Sequence, residues 1–88
     1  MADPIIIYGA DWCFDCRRAR RFLDQQNVTY KWVDIDEEKT GEQYVLMVNK
    51  GMRSIPTIVF PDGSILVEPS NYQLAQKLKI SETHLVSW

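Results

Sequence analysis

Cysteine and histidine are scarce: the 88 residues include two cysteines and one histidine. A structural zinc site takes four ligands, typically from two closely spaced pairs. Here there is one pair, Cys13 and Cys16, and His84 stands far along the chain without a motif, so the pattern argues against zinc. Long apolar runs are missing too. None approaches the roughly 18–20 residues that span a bilayer. The opening MADPIIIYGADW has no basic segment ahead of its short apolar run and no small-residue cleavage site after it. That predicts no signal peptide and a cytoplasmic protein without a membrane span. Excess charge of one sign is also absent. Lysine and arginine total 10, aspartate and glutamate 12, for a formal net charge of −2. A nucleic-acid binder needs a concentrated positive face, so that class is not expected. No repeat, low-complexity segment or linker is found. What remains is one domain over residues 1–88, near the lower size limit for a self-sufficient core. Its 45 % apolar and 25 % charged residues are those of an ordinary soluble protein, expected to be a monomer.

The elements alternate. Ile5-Ile6-Ile7-Tyr8 is a β-branched and aromatic run, as expected of a strand covered on both faces. Gly9 to Trp12 reads as a loop. From Cys13 the apolar spacing becomes helical: Cys16, Ala19, Phe22 and Leu23 share one face, with Arg17, Arg18, Arg20 and Arg21 largely on the other. Asn27 is a suitable end. Thr29 to Ile35 reads as a second strand. After the loop DIDEEKTG, Thr40 and Gln43 are spaced as a capping box. Gly51 marks the helix stop, and Tyr44, Val45, Met47 and Val48 supply the buried side. Ile55 to Phe60 is a strand entered through a proline, Pro61-Asp62-Gly63-Ser64 a turn, and Ile65-Leu66-Val67 the returning strand. Pro69 breaks the chain. Ser70 and Gln73 then repeat the capping pattern, opening a helix with Leu74, Ala75 and Leu78 inward. The tail Ile80 to Trp88 has no clear period. The order β-α-β-α-β-β-α predicts an α/β fold: a four-stranded mixed sheet flanked by three helices.

The chemistry concentrates in CFDC, residues 13–16. Thiols in the cytoplasm are kept reduced, so a close cysteine pair there is redox-active or metal-binding more often than a staple. Cys13 falls between a strand end and a helix start. Unpaired N–H groups and the helix dipole favour negative charge at that place, and the thiolate is the nucleophilic form of cysteine. Cys16 lies one turn on, on the same side, within reach of the first sulfur. The pattern predicts Cys13 as an exposed attacking sulfur and Cys16 as the thiol that resolves the mixed disulfide. Phe14 would give partners an apolar rim, and Trp12 would pack beside Cys13 and shield it. Asp15 disfavours a neighbouring thiolate while Arg17 and Arg18 favour it, which leaves the net effect open. A CxxC that follows a strand and opens a helix is a thioredoxin-like redox motif.

WCFDC after a strand, RSIPTIVF, and DGS ahead of a final helix together resemble the glutaredoxins, in the mycoredoxin-like flavour, because WC precedes the site and EPS precedes the last helix. The resemblance runs from Ile5 to about Leu78. It implies a thioredoxin-like fold and a thiol–disulfide oxidoreductase with Cys13 and Cys16 as its catalytic pair. It further implies a cis bond before Pro56, with the backbone of Ile55 free to pair with a bound peptide or small thiol. Arg53 would contact a ligand carboxylate, and the helix start at Ser70-Asn71 would offer N–H groups to another. Implied partners are disulfide-containing proteins and a low-molecular-weight thiol (glutathione, mycothiol or bacillithiol) or a thioredoxin reductase, with no bound cofactor. The chain departs from glutathione-using glutaredoxins at Gly9-Ala10-Asp11-Trp12, where they usually carry a lysine. It departs again at Glu68-Pro69, where they usually have two glycines, and at the neutral Ser70-Asn71.

Two other activities stay open: a dedicated hydrogen donor to a reductase such as ribonucleotide reductase, and an iron–sulfur cluster carrier, which the presence of Cys16 disfavours. The arginine group reads mainly as a solvated helix face. Asp34, Asp36, Glu37 and Glu38 read as a solvated loop, since their spacing matches no calcium loop.

Overall fold

The computed structural model describes residues 4–79. The elements are β1 (Ile5–Gly9), α1 (Phe14–Gln25), β2 (Tyr30–Asp34), α2 (Lys39–Val48), β3 (Thr57–Val59), β4 (Ile65–Val67) and α3 (Asn71–Leu78). This is the expected order. The tail Ile80 to Trp88 and His84 lie outside the described residues.

The sheet order is β2-β1-β3-β4. β1 runs parallel to β2, Ile7 opposite Trp32, and antiparallel to β3, Ile7 opposite Ile58. β3 and β4 form the hairpin. Because side chains alternate along a strand, β1 serves two layers. Ile5 and Ile7 point into a core completed by Ala19, Phe22 and Leu23 of α1, Leu74 and Ala75 of α3, and Ile58 and Phe60. On the other face Tyr8 stacks on Tyr44 of α2, ring centroids 4.9 Å apart. The side chains of Val33 and Ile35 approach α2 at Gly41, where a Cβ would stand only 2.7 Å from Val33 Cγ1. Glycine thus lets α2 lie close to the sheet. Among the described residues no helix is long and apolar enough to cross a membrane.

Three local expectations change. α2 is capped at Glu38, without a side-chain bond, so the Thr40/Gln43 pair is no capping box. The preceding turn, in which Asp34 Oδ1 accepts the Asp36 N–H and Asp34 O the N–H groups of Glu37 and Glu38, starts the helix before Thr40. Met47 is 71 % exposed rather than buried. It lies six positions beyond Gly41, which at 100° per residue turns it away from the Gly41–Val45–Val48 stripe. β3 is Thr57–Val59, shorter than Ile55 to Phe60, because Pro56 has no N–H to give a ladder. The second capping box forms as expected: Ser70 Oγ accepts the Gln73 N–H at 3.1 Å and Gln73 Oε1 accepts the Ser70 N–H at 2.8 Å.

Candidate active site

β1 ends at Gly9, and Ala10 turns the chain into α1, its carbonyl accepting the Cys13 N–H at 3.1 Å. Cys13 itself is the N-cap of α1, in extended conformation. A cap side chain normally accepts an N–H left over in the first helical turn. Here the acceptor is sulfur: the Cys16 N–H points to Cys13 Sγ at 3.2 Å. Any negative charge on that sulfur is met by a backbone donor and by the positive end of α1.

Cys16 has no exposed surface. Burial, first, and then its hydrogen bond to Cys13 push its thiol up to about 12; a backbone bond to Ala10 opposes them, and the nearby Asp15 charge adds the smallest push upward. It therefore stays protonated at neutral pH. The two sulfurs differ in kind: one caps a helix, the other is a buried neutral thiol. Both are free cysteines.

The pocket is closed by residues from the β1–α1 loop, α1, β2 and the segment before β3. Ala10, Cys13 and Cys16 form a small apolar cluster, with Trp32 and Ile55 packed against it. Gly9 makes this possible. A Cβ there would stand 2.6 Å from Cys16 Sγ and 2.9 Å from the Trp32 ring, closer than side chains tolerate. Arg20 covers Trp32, its guanidinium 4.0 Å from the ring centroid, a cation–π contact. The Ile55–Pro56 bond is cis, as the resemblance implied. Pro56 is fully buried, and the Ile55 carbonyl lies 4.0 Å from Cys13 Sγ. Thr57, also buried, satisfies its hydroxyl between the Ser54 carbonyl at 2.7 Å and the Asn49 amide at 3.1 Å, and so fixes the approach to Pro56.

Two expectations are corrected. Cys13 is only 8 % exposed, with the Ile55 carbonyl 4.0 Å from its sulfur, so that sulfur is covered rather than open. Trp12 does not shield it. Trp12 is 65 % exposed, with Nε1 donating to Asp36 Oδ2 at 2.8 Å, while Trp32 packs against the cysteine cluster. Phe14 is 72 % exposed beside the cap. Arg53 is turned from the sulfurs into a pair of carboxylates: Nε donates to Glu42 Oε2 at 2.8 Å and Nη2 to Asp36 Oδ1. The bond from Trp12, and then that from Arg53, hold the Asp36 carboxyl below its usual range. Ser70 caps α3. Asn71 Oδ1 accepts from Arg18 at 2.6 Å, and Arg18 also donates to the Pro69 carbonyl at 2.8 Å, which ties the start of α3 to α1.

Sequence reasoning missed Trp32, read as an ordinary strand residue, and Asp36, read as part of a solvated loop. Neither carries a local signal. Asp36 acts on residues 24 and 17 positions away.

A four-stranded mixed sheet flanked by helices, with the first cysteine of a CxxC capping the first helix and the carbonyl ahead of a cis-proline beside its sulfur, defines a thioredoxin-like fold with a thiol–disulfide site. The sequence model of the Glutaredoxin family matches residues 5–65. A Mycobacterium tuberculosis protein named as a glutaredoxin is 36 % identical over 74 residues, 84 % of this chain and 88 % of that one. Mycoredoxin 1 of Corynebacterium glutamicum is 32 % identical over 75 residues, 85 % of this chain and 92 % of that one. Among solved structures, a mutant of a thioredoxin-like protein superposes with a TM-score of 0.79 at 26 % identity, over 90 % of this chain and 99 % of that one. The chain belongs to the glutaredoxin family, and is a thiol–disulfide oxidoreductase.

Proposed function

We propose that this protein is a dithiol glutaredoxin that reduces protein disulfides, or mixed disulfides between a protein and a low-molecular-weight thiol, as a cytoplasmic monomer using Cys13 and Cys16. The observation that carries this reading is the asymmetry of the pair. Cys13 Sγ accepts a backbone N–H at a helix start, while Cys16 is a fully buried thiol.

Cys13 thiolate attacks one sulfur of the substrate disulfide. A Cys13–substrate S–S bond forms, the substrate S–S bond breaks, and the leaving sulfur departs as a thiolate that takes a proton from water. Cys16 then gives up its proton to the departing substrate sulfur and attacks Cys13. The products are a reduced substrate and a Cys13–Cys16 disulfide, a two-electron exchange. Alternatively a small thiol attacks the Cys13 adduct and restores Cys13 directly.

Around the sulfurs, the backbone of Ile55 at cis Pro56 lines the place of the bound peptide or thiol. The exposed rings of Trp12 and Phe14 flank it. The start of α3 at Ser70-Asn71 offers main-chain N–H groups to a carboxylate. Arg53 reaches a ligand carboxylate only by exchanging Asp36 or Glu42 for it. That engagement, with Glu68-Pro69 in place of a glycine pair, favours a second reading: a hydrogen donor for a reductase such as ribonucleotide reductase, recharged by thioredoxin reductase.

The test supplies the oxidised protein with glutathione, mycothiol, bacillithiol, or NADPH plus thioredoxin reductase, and follows disulfide reduction in wild type and Cys13→Ser. Loss of activity in Cys13→Ser is expected in every system that works. Retained activity overturns the assignment, and the working system names the reductant.

A further inference from the structure

Four of the five arginines fall within residues 17–21, in a chain whose net charge is −2. Two of the four are satisfied internally. Arg18 is held by Asn71, the Pro69 carbonyl and Asp15. Arg20 lies over Trp32 with Asp11 at 3.6 Å. Arg17 and Arg21 are exposed and carry no ion pair among the described residues.

These two are not scattered over a convex surface. Phe14, Arg17, Arg18, Arg21 and Gln25 follow one another at steps of three, one, three and four, one stripe of α1, and with Asn71 of α3 they line a groove of about 420 Å³. Its upper end is the ring of Phe14, next to the Cys13 cap. Its length follows from helix geometry. Phe14 to Gln25 is eleven residues of rise, about 16 Å at 1.5 Å each. That is the span of about five residues of extended chain, and more than a tripeptide-sized thiol fills.

We propose that this α1–α3 groove is a specificity site for the protein substrate: it takes an acidic extended segment flanking the target disulfide, with Arg17 and Arg21 as its carboxylate partners. The inference rests on the disulfide-reductase reading above. The occupant is polypeptide because of the groove's length, and acidic because its two cations without an ion pair among the described residues are guanidiniums, which bind carboxylates as planar forks. Phe14 packs on the residue nearest the sulfur, so a segment entering the groove leaves its disulfide at Cys13. Opposite charge in a cleft raises the encounter rate and falls away with salt.

The experiment uses synthetic peptides with one cysteine, disulfide-bonded to 2-mercaptoethanol, and five flanking residues that are either Asp/Glu-rich or their Asn/Gln counterparts. kcat/KM is measured for wild type, for Arg17→Gln/Arg21→Gln, and for Lys31→Gln/Lys50→Gln, which removes the same charge elsewhere. Wild type and the lysine variant are expected to prefer the acidic peptide about tenfold at low salt. The arginine variant is expected to lose that preference, reducing the acidic and neutral peptides at equal rates. Equal rates on both peptides in wild type overturn the inference while leaving the reductase reading intact. So does a preference that survives in the arginine variant, or one that the lysine variant loses equally. So does an arginine variant whose defect lies in recycling by small thiols instead. No reduction of either peptide by wild type defeats the reductase reading and this inference with it.

Discussion

The main core and the cysteine pocket are built on the same face of the same strand, yet they are held together differently. Ile5 and Ile7 enter a core of apolar side chains from α1, α3 and the β3 segment. Two residues on, Gly9 meets Cys16 and Trp32, and the structure depends on one missing methyl group and a few specific bonds. Volume-conserving apolar changes in the core are expected to cost little. The pocket tolerates little, because a sulfur must sit at a helix head with a second sulfur beneath it. Stability resides mainly in the first region and chemistry in the second, so substitutions should separate the two.

The largest separation is expected at the cap. Cys13→Ser keeps an acceptor for the Cys16 N–H, and serine is a favoured N-cap. Disulfide reduction should fall to the uncatalysed level, while the thermal midpoint moves little. A large fall in the midpoint would mean that the sulfur is structural. The converse change is Phe22→Ala, in the core and away from the sulfurs. Truncating a buried phenylalanine costs about 3–5 kcal/mol, much of the roughly 5–15 kcal/mol that a domain has. Urea unfolding should show the loss, with rate per folded molecule preserved.

Gly9→Ala tests the boundary between the regions. The added methyl must push back Cys16 or Trp32, and overpacking of this kind costs about 1–3 kcal/mol. Stopped-flow measurements should show resolution by Cys16 slowed more than the first attack by Cys13. Equal slowing would mean that the whole loop has moved.

A gentler handle is pH. Burial raises the Cys16 thiol from its ordinary 9.0 to about 12. The unfolded chain therefore ionises first. The stabilisation is complete below about pH 9 and is lost as pH rises from there toward 12. Burial raises Tyr8 and Tyr30 as well, and these push the same way. The comparison is therefore between reduced wild type and Cys16→Ala, whose unfolding midpoint should fall less steeply across that window. Parallel slopes would remove Cys16 as a source. The smallest effect is expected from Asp36→Asn. It loosens Trp12 and Arg53 at an exposed site where ion pairs contribute little. Trp12 fluorescence should change while the midpoint barely moves.

The same contrast decides what could be read from the sequence. The core was legible because periodicity records burial: the Ile5–Tyr8 run, the Cys16–Ala19–Phe22–Leu23 face and the Leu74–Ala75 pair all lie where their spacing puts them. The CxxC was legible because its chemistry is local. The rest of the pocket was not. Trp32 and Asp36 reach the site across the fold, and nothing within a few residues of either signals that role. The start of α2 was misplaced for the opposite reason, a local pattern at Thr40 and Gln43 overruled by the turn before it.

The two sulfurs are unequal: one caps a helix and accepts a backbone N–H, the other is a buried thiol that holds its proton. Brief alkylation of the fully reduced protein with iodoacetamide at pH 7, followed by peptide mass mapping, tests this directly. Cys13 should take the label while Cys16 remains unmodified. Labelling of Cys16 first, or of both at equal rates, would contradict it.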